Sequence, residues 1–387
     1  MAIEGKEDNP ESRPIRLGMV GGGKDAFIGA VHRIASRIDG RYDLVAGALS
    51  STPEKAQESG RALGLKEDRI YSSFEDMAKR EARLKDGIEA VAIVTPNHVH
   101  YPAAKAFLKR GIHVICDKPL TSTLPDAKKL AKAAEASDSL FFLTHNYTGY
   151  PMVRQAKEMV ANGDLGKVRV IQVEYPQDWL TVEQNNKQAD WRTDPARSGA
   201  GGSTGDIGTH AYNLACFITG MTADSLAADL QSFVPGRQVD DNGHVLLRFE
   251  SGARGMLWCS QVAPGNENNL KIRVYGEKGG LEWHQENPNY LYYTPFGEAL
   301  RVLTRGGAGM SENIGPSTRI PPGHPEGYLE GFANLYKDAA DVIRAHQQGE
   351  DLANLVPGIG DGLAGVRFVD ACVRSSARNA AWVKLDG

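Results

Sequence analysis

Cysteine is scarce and scattered: four residues in 387, with no Cys-x-x-Cys pair. That excludes a disulfide-built scaffold and argues against a thiolate metal site. Three of the four (Cys116, Cys216, Cys259 and Cys372) lie inside apolar stretches, as buried reduced thiols do. Long apolar runs are missing too, none approaching the ~20 residues that cross a bilayer. The N-terminus lacks the apolar core of an export signal, since Met1 to Arg13 is polar and acidic and reads as a disordered lead-in. Positive charge is not in excess: 44 Lys and Arg against 48 Asp and Glu leave a net charge of −4. Such a balance offers no footprint for nucleic acid and no attraction to an anionic membrane surface. These absences leave a cytoplasmic protein without a metal as the expectation. At 387 residues, 41% of them hydrophobic, it is long enough for two globular domains.

What is present is order along the chain. Ile15 to Val20 reads as a strand, a helix follows the next glycines through Ile34, and Tyr42 to Leu49 reads as a second strand. Thr52-Pro53 caps a helix to about Leu63. Ala90 to Val94 is a continuous apolar run, the pattern of a strand buried on both faces of a parallel sheet. A helix from His100 to Arg110, a strand His113 to Cys116, a helix capped by Thr123 and Asp126, and a strand Leu140 to Leu143 complete the series. Repeated β-α-β units predict a doubly wound parallel sheet over 14–147. After a helix from Pro151 to Ala161 the texture changes. Strands at Val168–Glu174, Val245–Phe249, Arg254–Cys259 and Leu270–Tyr275 predict an α+β domain over 148–387 with an open, mostly antiparallel sheet. Gln177–Gly205 and Arg305–Gly327 read as long loops, and helices are expected near Tyr328–His346 and Asp361–Arg378.

Gly21, Gly22 and Gly23 stand directly after the first strand, with Gly29 in the helix that follows. Glycines there permit a tight turn and close approach to a pyrophosphate resting on the helix N-terminus. The expected cofactor contacts are these three glycines with Phe27 and Ile28. The spacing is longer than G-x-G-x-x-G, because Lys24 to Ile28 separate Gly23 from Gly29. An acid normally ends the second strand and binds the ribose hydroxyls. Here Ser50 and Ser51 stand instead, and hydroxyls tolerate a 2′-phosphate, which tilts the expectation from NAD toward NADP. Arg33, Arg37 and Lys55 are the candidate cations for that phosphate; alternatively Ser50 only caps its turn and NAD is used.

Two further runs carry chemistry. Asp117-Lys118-Pro119 follows a buried strand, with the Lys118–Pro119 bond a candidate for the cis form. Asp206 and His210, four residues apart at the start of a helical pattern, share one face. A neutral histidine suits removal of a hydroxyl proton, and an ammonium stabilises developing alkoxide. Lys118, Asp206 and His210 are therefore the expected catalytic residues. Each has a plainer reading: Asp206 a helix cap, His210 a core histidine, Lys118 a surface lysine.

Together with Thr95-Pro96-Asn97-His98-Val99-His100, these runs resemble the T-P-N-x-x-H, (E/D)-K-P and G-D-x-G-x-H motifs of the glucose–fructose oxidoreductase / inositol dehydrogenase / rhizopine catabolism (Gfo/Idh/MocA) family. The resemblance spans nearly the whole chain. It implies a Rossmann domain, an open-sheet domain, and hydride transfer between NAD(P) and a hydroxyl of a sugar or cyclitol in the cleft between them. It places Thr95, Pro96, Asn97 and His100 on the nicotinamide side, with Asp117 and Lys118 beside them. It further implies a homodimer or homotetramer joined by the open sheet. Trp191 and Arg192, with Trp179 and Asp194 nearby, suit a sugar ring and its hydroxyls, or anchor the loop they stand on. Tyr147, with Asn146, and His324 are other substrate candidates, although His324 before Pro325 equally forms a turn into a helix. Two rivals remain open: a glycosidase that borrows and returns hydride, and a non-catalytic sugar or dinucleotide sensor.

Overall fold

The computed structural model describes residues 13–24, 26–184 and 186–385; the expected lead-in lies outside them except for Arg13. The first half contains β1 (Ile15–Gly21), α1 (Phe27–Ile38), β2 (Tyr42–Ala48), α2 (Pro53–Ala62), α3 (Phe74–Glu81), β3 (Ala90–Val94), α4 (Asn97–Leu108), β4 (His113–Cys116), α5 (Leu124–Glu135) and β5 (Phe141–Leu143). Its strands form one parallel sheet in the order β2-β1-β3-β4-β5. All of β3 is buried, as its unbroken apolar run requires. The helix expected from His100 starts at Asn97, because the extended Pro96 immediately precedes the first turn and its carbonyl accepts from Val99 N. α3 escapes pattern reading because five of its eight residues are charged; its cap is Ser73, which accepts from Asp76 N.

The second half begins with α6 (Pro151–Ala161), β6 (Val168–Pro176), α7 (Lys187–Arg192), α8 (Pro195–Ser198) and α9 (Thr209–Thr219). Seven strands follow: β7 (Ala223–Gln231), β8 (Asn242–Phe249), β9 (Arg254–Ser260), β10 (Lys271–Gly276), β11 (Gly279–His284), β12 (Tyr290–Pro295) and β13 (Arg301–Thr304). The chain ends with α10 (Tyr328–Gln347), α11 (Ile359–Ser376) and β14 (Val383–Lys384). The strands form a nine-stranded sheet, β13-β12-β11-β10-β6-β9-β8-β7-β14, antiparallel except where β6 meets β9. α6, α9 and α11 bury one face of it. The other face stays open and carries the exposed Leu246, Met256, Tyr275 and Val302.

One segment does not keep to the expected domain boundary. Phe332, Tyr336 and Ile343 of α10 share a core with Ile15, Leu17 and Met19 of β1, so this helix packs on the first sheet. The described residues of the two long loops are held in place as well. Gln177–Gly205 contains α7 and α8, and Asn97 Nδ2 donates to Ser198 O at 2.8 Å, tying it to the first domain. The buried Arg305 donates to Asn289 Oδ1, to Glu326 and to the carbonyls of Ile320, Pro321 and His324, pinning Arg305–Gly327. Among the described residues, no helix is long and apolar enough to cross a membrane, and all four cysteines are free thiols.

Candidate active site

The strands of the parallel sheet end at one edge, where the turns that follow them meet. Gly21 (φ +76°) sits so close to β3 that a Cβ would lie 2.3 Å from Val94 O, and one on Gly29 would lie 2.3 Å from Gly22 O. Only glycine lets α1 approach the turn this closely, which leaves the helix N-terminus open to an anion. A cleft of about 1270 Å³ starts here. Gly21, Gly22, Gly23, Phe27, Ile28, Ser50 and Ser51 line one end, Thr95, Pro96, Asn97, Asp117 and Lys118 the middle, and Tyr147, Trp191, Arg192, Asp206 and His210 the other end. Thr95 Oγ1, Asn97 Oδ1, Asn146 Nδ2 and His210 Nδ1 are buried without hydrogen-bond partners. The glycine turn and this set of unmet donors and acceptors fit a dinucleotide with a carboxamide-bearing ring.

Lys118 follows β4 and is joined to Pro119 by a cis peptide bond. Its Nζ donates to Asp206 O at 2.6 Å and to Asp206 Oδ1 at 2.9 Å. Asp206 is not a helix cap. It lies within a single π-helical turn, Thr204–Gly208, that leads into α9, and such turns recur at functional sites. Its Oδ2 accepts from Arg192 Nε at 3.2 Å and Gln261 Nε2 at 3.0 Å. Burial opposes ionisation of this carboxyl, but Lys118 and Arg192 overcome it and hold the group below the usual carboxylate range.

His210 stands in the first turn of α9, packed edge-on against His145 (5.4 Å between ring centroids) and Tyr147 (4.9 Å). Burial, then the nearby Lys118 and His145, keep its imidazole neutral, with a pKa well below the ordinary 6.5. His145 is pushed down to about 3 by burial and Lys118. The three expected catalytic residues thus occupy one end of one cleft, as a carboxylate-held ammonium beside a neutral imidazole.

Four expectations change. His100 does not line the cleft: buried, with its ring nitrogens 2.8 Å from Pro119 O and 2.9 Å from Thr95 O, it braces the two loops behind it. Arg33 donates to Gly22 O rather than facing Ser50, and Arg37 is not in the cleft lining. His324 is also absent from it; Arg305 holds its carbonyl in the loop. Trp191 lines the cleft, with the Arg192 guanidinium 4.4 Å from its ring centroid.

Of the polar wall that also lines this cleft, the sequence pointed to Tyr147 but not to Tyr175, Gln177, Asn268 or Gln285. Tyr147 and Tyr175 share a short hydroxyl–hydroxyl hydrogen bond, Tyr175 OH donates to Asn268 Oδ1 at 2.7 Å, and Gln177 Nε2 donates to the same oxygen at 2.8 Å. Asn268 Nδ2 donates to Gln285 Oε1 at 3.0 Å. The only local signal was position: Tyr175 and Gln177 flank the end of β6, and Asn268 lies in a polar run before β10.

The family descriptions "Oxidoreductase family, NAD-binding Rossmann fold" and "GFO/IDH/MocA C-terminal domain" match residues 15–145 and 153–282. A solved oxidoreductase from Sinorhizobium meliloti is 67% identical, with 96% of this chain and 100% of that one aligned at a TM-score of 0.89. An inositol dehydrogenase homolog from Azotobacter vinelandii, solved with NADH and myo-inositol, is 35% identical, covering 96% and 98% at a TM-score of 0.90. Levoglucosan dehydrogenase of Pseudarthrobacter phenanthrenivorans is 26% identical over 96% of this chain and 98% of its own. This chain belongs to the Gfo/Idh/MocA family of NAD-binding oxidoreductases.

Proposed function

We propose that the protein oxidises a secondary hydroxyl of a sugar or cyclitol with NAD, and reduces the corresponding ketone in reverse. The observation that carries this reading is the Lys118–Asp206–His210 cluster at the far end of the cleft that begins at the glycine turn. When bound, NAD supplies the hydride acceptor. Neutral His210 takes the hydroxyl proton as the C–H bond breaks and the carbonyl forms. Lys118 steadies the negative charge developing on that oxygen, and Asp206 fixes the ammonium in place. Arg192 and Gln261 hold Asp206, while Tyr147, Tyr175 and Asn268 offer donors and acceptors to the remaining hydroxyls. Relatives named for inositol and levoglucosan support a polyhydroxylated ring.

NAD is preferred here over the NADP that the serines favoured. Lys24 and Lys55 line that end of the cleft, but so do Glu58 and Glu75, and Lys24 pairs with Glu58 at 2.6 Å. A 2′-phosphate meets no surplus of positive charge. Absorbance of reduced nicotinamide, followed with NAD and NADP over a panel of inositols and aldoses, tests both points. Signal with NADP but not NAD refutes the cofactor assignment. No signal with either, while NAD binds, refutes the dehydrogenase. The open sheet face is assigned to a homodimer or homotetramer; a monomer by light scattering at micromolar concentration contradicts that.

A further inference from the structure

Beyond the catalytic cluster lies a second recess of about 850 Å³. Asn268, Gln285 and Tyr328 line both spaces, so the recess adjoins the substrate end of the cleft. Its volume alone is that of a site for a sugar-sized ligand. The outer part is rich in acceptors, with Glu267, Glu286, Asn287 and Glu326 in its lining and no Lys or Arg among the described residues there. Glu326 supplies a second, independent sign of a ligand. The residue is 5% exposed; its Oε1 accepts from Arg319 N, Ile320 N and Arg305 Nη1, while Oε2 is buried with no partner. Unsatisfied buried acceptors of this kind call for a donor.

Charge narrows the ligand further. At the inner end, Lys118 and Arg192 both face the carboxylate of Asp206. Two cations on one carboxylate leave the inner end one positive charge in excess, which matches the alkoxide proposed to develop there. A phosphate or carboxylate reaching the outer part would instead meet Glu267 and Glu286 with no lining cation among the described residues, Glu326 being paired with Arg305, an arrangement that disfavours anions there. Hydroxyl donors suit the same acceptors. Resting on the dehydrogenase reading above, we infer that the substrate is an uncharged polyol of two linked rings: one is oxidised beside His210, and the other occupies the recess between Glu267, Asn287 and Glu326.

The test compares two matched series under NAD: myo-inositol, galactinol and myo-inositol 1-phosphate; glucose, maltose and glucose 6-phosphate. In at least one series the two-ring member should show kcat/KM at least about tenfold above the single ring, and the phosphate at least about tenfold below it, each the effect of one or two hydrogen bonds or one like-charge contact. Glu267→Ala with Asn287→Ala, both at exposed positions, should lower kcat/KM for the two-ring substrate by about five- to tenfold and leave the single ring within about twofold. Asn287→Trp, which fills the recess, should do the same more severely. Oxidation of single rings with no gain from the second ring, or turnover of the phosphates at equal efficiency, overturns this inference and leaves the dehydrogenase standing. Failure to oxidise any member while NAD binds overturns both.

Discussion

Replacing Lys118 by methionine separates the roles assigned to the catalytic cluster. The Lys118 side chain is 14% exposed and its ammonium lies 2.9 Å from Asp206 Oδ1, so bulk water screens it little. At that distance an effective dielectric of about 20 gives a gross attraction of ~6 kcal/mol. Sharing the cation between Asp206 and a developing alkoxide leaves roughly half for the transition state, ~3 kcal/mol, or about a hundredfold in kcat. The variant should still bind NADH, which fluorescence titration reads separately. It should also shift the pH profile. Lys118 is, after burial, the largest influence holding the His210 pKa down. Removing a positive neighbour raises the pKa of a histidine, and the base works only when neutral. The acid limb of kcat/KM must therefore move to higher pH in Lys118→Met and stay near the wild-type position in Lys118→Arg, which keeps the charge. Asp206 retains Arg192 and Gln261, so the melting temperature should fall only a few degrees, about 1 kcal/mol. A kcat within threefold of wild type, or an acid limb that stays put or moves down, refutes the reasoning.

Other perturbations follow from the same geometry. His210→Ala should lose most turnover, about 10²- to 10⁴-fold, with NADH affinity little changed; normal turnover removes His210 from the mechanism. Gly29→Ala places a methyl 2.3 Å from Gly22 O, forcing α1 away from the turn, and should weaken NADH binding at least about tenfold in a fluorescence titration. Glu89 pairs with Arg13, Arg16 and Arg344; burial opposes its ionisation, but these partners bring its pKa down to about 2. Because the folded-state pKa is depressed, its contribution of about 2 kcal/mol is present at neutral pH and lost as pH falls from about 4.5 to 2. Glu89→Gln should thus melt several degrees lower than wild type at pH 7, with the gap closing toward pH 2; a gap independent of pH would show that charge is not the cause.

How much of this was readable from residues alone depended on how far apart the interacting groups lie in the chain. The parallel sheet announced itself because each β-α-β step is local: Ala90–Val94 has to be buried on both faces, and Thr123 with Asp126 marks its helix within four residues. The glycine turn and the 206–210 spacing were legible for the same reason. The π-helical turn at Thr204–Gly208 was not, since Asp240, far along the chain, takes hydrogen bonds from Gly202 N, Ser203 Oγ and Thr204 N and sets how the chain enters it. His100 misled for a related reason. It stands in a motif whose other members line the cleft, yet its ring faces inward to the carbonyls of Thr95 and Pro119, supporting the loops without touching the cavity.

The substrate wall follows the same logic and explains why the class of reaction reads more easily than its substrate. Proton and hydride movement needs few groups, and Lys118, Asp206 and His210 each sit in a short recognisable run. Discrimination among the polyols proposed as substrates would need many weak hydrogen bonds, and the side chains on offer are Tyr147 before α6, Tyr175 and Gln177 at the end of β6, Asn268 before β10 and Gln285 after β11. None of these has a spacing that marks it, because they come from separate places: the turn after β5, the end of β6, and the segments before β10 and after β11. Tyrosine, asparagine and glutamine at strand ends are also ordinary in any α+β domain. Their meaning exists only once the sheet brings them together, with Asn268 taking two donors on one oxygen and passing its own amide to Gln285. On the proposed reading, the chemistry rests on short local runs, at the edge of the parallel sheet and at the start of α9, and the specificity on side chains that only the folding of the second sheet brings together.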